Sequence, residues 1–217
     1  MNWITAICIA APAMLLACAS KLPSGADAIF NPDLAAAHAD REVALTEERS
    51  PLSFEGEREA NNCNSYFDLS SRYRMDESTQ NHLIKSEYLI CDALRFLSSP
   101  KAANKQPDPD QGTQLLSKLD LRSLPSSLRQ RTSRNSHTLA ALFPDLAVAG
   151  ANTASVETDE FSFSIEVVAS TRVNDNDEAD WIVWMADEAK SGTYRDYRTF
   201  LILDPHSSTK LEAIAYP

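Results

Sequence analysis

Phe161-Ser162-Phe163-Ser164-Ile165-Glu166-Val167-Val168-Ala169-Ser170-Thr171 is the stretch from which the fold is read. Phe161, Phe163, Ile165 and Val167 alternate with Ser162, Ser164, Glu166 and Val168. Successive side chains of a strand point to opposite faces, so this period of two predicts a half-buried β-strand. Downstream, Trp181-Ile182-Val183-Trp184-Met185 is apolar at every position and predicts a central strand. Ser191-Gly192 is a turn signal, Arg198 to Leu203 reads as a third strand and Leu211 to Tyr216 as a fourth. The connections are short, which predicts an antiparallel meander.

Upstream of the strands the period changes. Leu83, Ile84, Tyr88, Cys91 and Leu94 recur at helical spacing and predict a helix over 76–97 with one buried face. Asp76 and Glu77 suit its first turn and Arg95 its last. Thr113 to Leu119, with Thr113 as cap, and Ser136 to Phe143, stopped by Pro144, predict shorter helices. The leucines between Leu119 and Pro125 suggest a short strand or an extended edge. The expected fold class is α+β: an N-terminal tether and helices packed on one face of a C-terminal antiparallel β-meander. Residues 62–217 would form one domain, helical over 62–98 and β-rich over 157–217.

The first charged side chain of the chain is Lys21. Ile4 to Ala17 is an apolar run of secretory length, short for a bilayer span, and it ends in Leu15-Leu16-Ala17-Cys18. That ending resembles the lipobox of bacterial lipoproteins. The resemblance implies a signal peptide over 1–17, lipidation of the Cys18 thiol, cleavage before Cys18, and a lipidated, partly disordered tether over 18–61. Ala19 rather than Asp after the cysteine resembles outer-membrane sorting, with the body facing the periplasm. An ordinary signal peptide, with Cys18 incidental, is the rival reading.

Of four cysteines, Cys8 lies in the apolar run and Cys18 in the lipobox. Cys63 and Cys91 remain, and an isolated pair in an oxidising compartment predicts a disulfide; buried thiols are the rival. The net charge is −11, which argues against nucleic acid as a partner. The charge is unevenly spread: 27–59 holds nine acids against three arginines, and 157–188 holds ten against Arg172. Between them lies a basic stretch, Lys118, Arg122, Arg129, Arg131 and Arg134. It would either touch anionic envelope polymers or balance the acids of the chain itself.

His38, His82, His137 and His206 are too far apart in sequence for a helical metal pair. There is no nucleophile elbow and no phosphate-cradling glycine loop. Ser191-Gly192-Thr193-Tyr194 loosely resembles a pattern of periplasmic lysozyme inhibitors, and a hairpin turn accounts for it equally. Leu119 to Leu128 and Trp181 to Tyr197 are diffusely similar to uncharacterised Gram-negative lipoproteins. The segment Arg172 to Val183 resembles the calcium loops of integrin-type repeats and the start of an EF-hand. Asn174, Asn176 and Asp180 fall at ligand positions. Arg172 replaces the first carboxylate and Asp177 the turn glycine, so calcium is a weak cofactor candidate. The expectation is a loop whose metal is replaced by the Arg172 guanidinium, or else a plain acidic turn.

With no catalytic constellation, the expected function is a membrane-anchored envelope lipoprotein that binds or supports an envelope protein or cell-wall polymer. The alternative is a cell-wall-active enzyme or a periplasmic enzyme inhibitor. A deep pocket with convergent acids or histidines would favour the enzyme. A flat sheet face with exposed aromatics would favour a binding module.

Overall fold

The computed structural model describes residues 27–97, 103–104, 106, 108–174, 176 and 178–215. Residues 1–17, where a signal peptide is expected, and Cys18, Asp175, Asp177 and Tyr216 lie outside them. Strand β1 (Ala28–Ile29) opens the described chain, followed by helices α1 (Pro32–Ala39) and α2 (Arg41–Thr46). Asn31 starts α1: its side chain accepts the backbone N–H groups of Asp33 and Leu34, and Pro32 suits the first turn. Strands β2 (Leu52–Phe54) and β3 (Arg58–Ala60) make a hairpin whose turn needs left-handed backbone at Gly56 and Glu57.

Helix α3 (Cys63–Ser70) begins with a reciprocal cap between Asn62 and Ser65. Next come α4 (Thr79–Ile84), a 3-10 turn (Lys85–Tyr88) and α5 (Leu89–Phe96). The helix expected over 76–97 is therefore one path broken in the middle. The tighter 3-10 segment shifts the helical phase, and Leu83, expected in the core, is 47% exposed.

Strand β4 (Ala103–Asn104) and helix α6 (Gln111–Lys118) follow, then 3-10 turns at Leu121–Ser123 and Ser127–Arg131, and α7 (Leu139–Leu142). Thr113 lies inside α6 rather than capping it. The strand expected at Leu119 to Pro125 is instead a 3-10 turn. Asp120 accepts the N–H of Arg122, and Leu121 and Leu124 meet the core at the three-residue spacing of such a turn. Strands β5 (Val148–Ala149), β6 (Thr153–Glu157), β7 (Phe161–Thr171), β8 (Asp180–Ala189), β9 (Arg195–Ile202) and β10 (Ile214–Ala215) complete the chain.

The architecture is α+β, and β7 to β10 form the antiparallel meander. The outer edge of β7 is shared. Strand β6 pairs with its first half, and β1, which is parallel to β4, pairs with Ala169 and Ser170. A register shift between Val167 and Ala169 separates the two partners. Residues 27–61 thus belong to the folded body and are not a free tether over that span. Ile29, Leu34, Leu52 and Phe54 bury their side chains, which an acidic, proline-broken composition does not reveal.

Helices cover both faces of the sheet, not one. Phe163, Ile165, Trp181, Val183, Met185 and Phe200 pack under Leu115, Leu121, Leu124, Leu128 and Leu139. On the opposite face, Val168, Ile182 and Leu201 pack under Leu34, Leu94 and Leu97. The cause lies in β8, whose two faces are both apolar and must both be shielded. A third cluster, with Leu52, Phe54, Tyr66 and Tyr88, surrounds the Cys63–Cys91 disulfide, whose Cα atoms are 5.2 Å apart. Closing a loop of 28 residues stabilises the fold by about 3–4 kcal/mol in the chain-entropy model.

Gly112 marks the closest approach of the helical layer to the β5–β6 turn. A Cβ there would overlap the carbonyl oxygens of Gly150 and Thr153. Gly112→Ala is expected to destabilise the protein by about 1–3 kcal/mol despite the better helix propensity of alanine. Chemical denaturation checks this; an unchanged or raised midpoint would refute the close packing.

Candidate functional site

A buried polar network joins three elements around Asp92, which is 3% exposed. Lys85 and Asp92 are seven residues apart along the α4–α5 path and so reach the same side. The Asp92 carboxylate accepts from the Tyr66 hydroxyl at 2.7 Å, from Lys85 Nζ at 2.9 Å and from the Thr199 hydroxyl at 3.2 Å. Lys85 also donates to the Tyr66 oxygen at 2.7 Å, and its ammonium lies 4.6 Å from the centroid of the Tyr66 ring. Tyr66 sits on α3, three residues after Cys63, so the disulfide holds it against α5. Thr199 brings in β9.

This network floors a cleft of about 720 Å³. One wall is Asp196, Tyr197, Arg198 and Thr199; the mouth includes Glu55, Arg74, Asp76 and Glu77. Consecutive strand residues point to opposite faces, so a cleft lined by four in a row must meet the edge of β9. Arg198 Nε donates to both oxygens of Asp196 at 2.9 Å. Burial pushes the Asp196 carboxyl above the ordinary carboxylate range, with Arg198 pulling in the other direction. His82 faces Glu77 at 3.2 Å beside the mouth. None of these residues stood out as a site in the sequence. The available signal was Asp92, a carboxylate next to Cys91 on a helix predicted to be buried.

The candidate calcium loop is filled from within the chain. Asp180 is fully buried. Its carboxylate accepts the backbone N–H groups of Val173 at 2.8 Å, Asn174 at 3.3 Å and Asp204 at 3.0 Å. Asn174 and Asn176 donate their side-chain amides to Asp204 at 3.4 and 2.6 Å. Their oxygens accept backbone N–H groups of Asn176 and Glu178 at 3.2 and 2.9 Å. The structure thus brings Asn174, Asn176 and Asp180 together, but as a loop lock. The donors to Asp180 are backbone amides. Among the described residues, no group of three or more His, Cys, Asp or Glu side chains could hold a metal.

Two residues of the basic stretch, Arg122 and Arg131, pair with acids of the same chain. Arg122 and Lys210 each reach Asp120 at 2.6 Å, and Arg131 lies 3.5 Å from Glu160. Ser191-Gly192 is the β8–β9 turn, with Gly192 at φ 88°. Tyr194 donates to Asp187 at 3.0 Å, and Asp187 also accepts the N–H and hydroxyl of Ser127. That structural bond accounts for the tyrosine of the inhibitor-like pattern. His206 meets Trp181 edge-on with ring centroids 5.9 Å apart.

No protein-family model, no curated protein and no solved structure matches the chain.

Asp180→Ala is expected to cost about 1–3 kcal/mol by orphaning three amides. Melting with calcium and with a chelator should show the same loss; a loss seen only with calcium would restore a metal site. A second expectation concerns acid. Arg122, and then Lys210, holds the Asp120 carboxyl far below the ordinary range. A folded-state value below the unfolded one stabilises the protein above the unfolded value of about 4 and is lost as pH falls through the folded value. The stability difference between wild type and Asp120→Asn should therefore be full at neutral pH and shrink below pH of about 4. A difference independent of pH would refute the ion-pair account.

Proposed function

We propose that this chain is a lipid-anchored envelope lipoprotein that works by binding, with the cleft beside Lys85 and Asp92 as its ligand site. The anchor is Cys18. Leu15, Ala17 and the following Ala19 support lipidation and sorting to the outer membrane, facing the periplasm. Acyl chains bury roughly 0.8 kcal/mol per methylene, so more than one chain gives stable attachment. The partner is an envelope protein or a cell-wall polymer. The acidic body is unsuited to nucleic acid. Among the described residues, no helix is long and apolar enough to cross a membrane.

The observation that carries the binding reading is the pairing of buried charge in the cleft. Asp92 is matched by Lys85 and Asp196 by Arg198, each within hydrogen-bond distance. Each carboxylate is thus already engaged by a cation of the protein itself. The volume suits a small ligand or the end of a larger one. A cell-wall-active enzyme is the rival. It draws on two acids meeting in one cleft and on Asp196, whose burial favours the protonated form. An enzyme inhibitor working through the Ser191-Gly192 turn would use a different surface.

Cys18→Ala is expected to abolish incorporation of labelled fatty acid and to move the protein from the membrane to the soluble fraction. Undiminished label in the variant would sink the anchor. Purified cell-wall sacculi should pull the wild-type protein down without releasing soluble fragments; released fragments would replace binding by hydrolysis.

A further inference from the structure

We infer that the cleft takes a short peptide with free ends, its carboxylate directed to Lys85 and Arg198 and its ammonium held at the mouth by Glu55 and Asp76. This rests on the reading of the cleft as the ligand site and adds the ligand's chemistry. The cleft has unused hydrogen-bonding capacity of both signs. An ammonium has three N–H donors. Lys85 uses two, toward Tyr66 and Asp92, and its side chain is 14% exposed at the cleft floor. Arg198 uses Nε for Asp196, which leaves the two terminal nitrogens of its fork for an incoming carboxylate. At the mouth, Glu55 is exposed and Asp76 half-buried, and neither carboxylate has a partner among the described residues. Free donors at Lys85 and at the 44% exposed Arg198, with free acceptors at Glu55 and Asp76, fit a ligand that carries an anion at one end and an ammonium at the other.

Two features favour a peptide over a sugar. Sugars stack on open aromatic faces, but two tyrosines of the cleft already hold the protein's own cations. Lys85 lies over Tyr66, and Arg58 over Tyr73 at 4.0 Å from the ring centroid. The cleft also meets a strand edge. Ala189 donates to the carbonyl of Tyr194 across the β8–β9 pair, so alternate residues from 194 onward turn their backbone groups to β8 and Tyr197 turns its own outward. Strand β10 covers that outer edge at 200 and 201. The N–H and C=O of Tyr197, a residue of the cleft wall, therefore face away from β8, and a peptide backbone laid along that edge would bond to them.

Native mass spectrometry of the full chain, released from detergent, tests this with three probes. They are a pool of tripeptides with free ends, the same pool acetylated and amidated, and a trimer of N-acetylglucosamine. Free-ended tripeptides should form a one-to-one adduct, and capping both ends should weaken it at least about tenfold, as for loss of a charge-assisted hydrogen bond. Lys85→Met should lower affinity for the free pool about tenfold and leave the capped pool unchanged. That variant leaves Asp92 buried without its cation. The exposed Glu55→Gln is the companion that leaves the fold alone, and it should weaken free-ended but not acetylated peptides. Equal binding of free and capped peptides would overturn the inference. So would binding of the sugar trimer that is lost in Lys85→Met, although the cleft would then still stand as a ligand site. Failure of all three probes would overturn the inference and count against the cleft itself.

Discussion

Strand β8 is apolar on both faces, and most of the fold follows from covering it. Trp181, Val183 and Met185 point to one side and Ile182 and Trp184 to the other. Burying a large apolar side chain stabilises the fold by roughly 1.5–3 kcal/mol, so neither face can be left to water. Pairing with β7 and β9 satisfies the backbone, and two helical layers satisfy the faces. One layer is short and close in sequence to the sheet, made of α6, α7 and the 3-10 turns between them. The other comes from far away: α1 and α5 pack on Val168, Ile182 and Leu201. Strand β1 adds a second tie, because its pairing with β7 fixes where α1 can start.

The cleft is a by-product of that second layer. Helix α5 packs on β9, while α3 and the β2–β3 hairpin form a small cluster of their own around the disulfide. In addition to apolar packing through Leu45 and the α4–α5 path, polar contacts join that cluster to the sheet. Asp92 is their hub, taking bonds from α3, from the α4–α5 path and from β9 at once. A buried carboxylate is costly unless it is fully paired, so these bonds hold the parts in one arrangement. Where apolar packing ends and polar pairing begins, a gap remains, and its lining is chemically rich for that reason.

Three other buried aspartates close loops in the same way. Asp180 collects amides from the start of its own loop and from Asp204. Asp187 ties the 3-10 turn at Ser127 to the β8–β9 hairpin. Asp120 gathers Arg122 and Lys210, next to the point where Leu119 bridges Leu211. These aspartates are buried because each has a full set of donors, while most of the acids that give the chain its negative charge stay at the surface.

The period-two run at Phe161 and the all-apolar run at Trp181 were enough to specify the meander, because each needs only its own residues to declare which faces are apolar. The isolated pair Cys63 and Cys91 likewise announced its bridge, given an oxidising compartment. The break in the helix at Lys85 and the turn at Leu121 were not legible, since both are set by what the leucines pack against. The same holds for 27–61, whose few apolar residues mark no periodic face and gain their meaning only against β7, α5 and the disulfide cluster. Asn174, Asn176 and Asp180 could be seen to share a loop, but their partner Asp204 lies 24 or more residues onward, so a lock could not be told from a metal site. The cleft was least visible of all: Tyr66, Lys85, Asp92 and Thr199 carry no common spacing. Sequence alone determined which segments must be buried and on which faces, because hydrophobic periodicity is local. Tertiary structure alone decided which charges meet, because ion pairing depends on proximity in space, and chain order does not encode it.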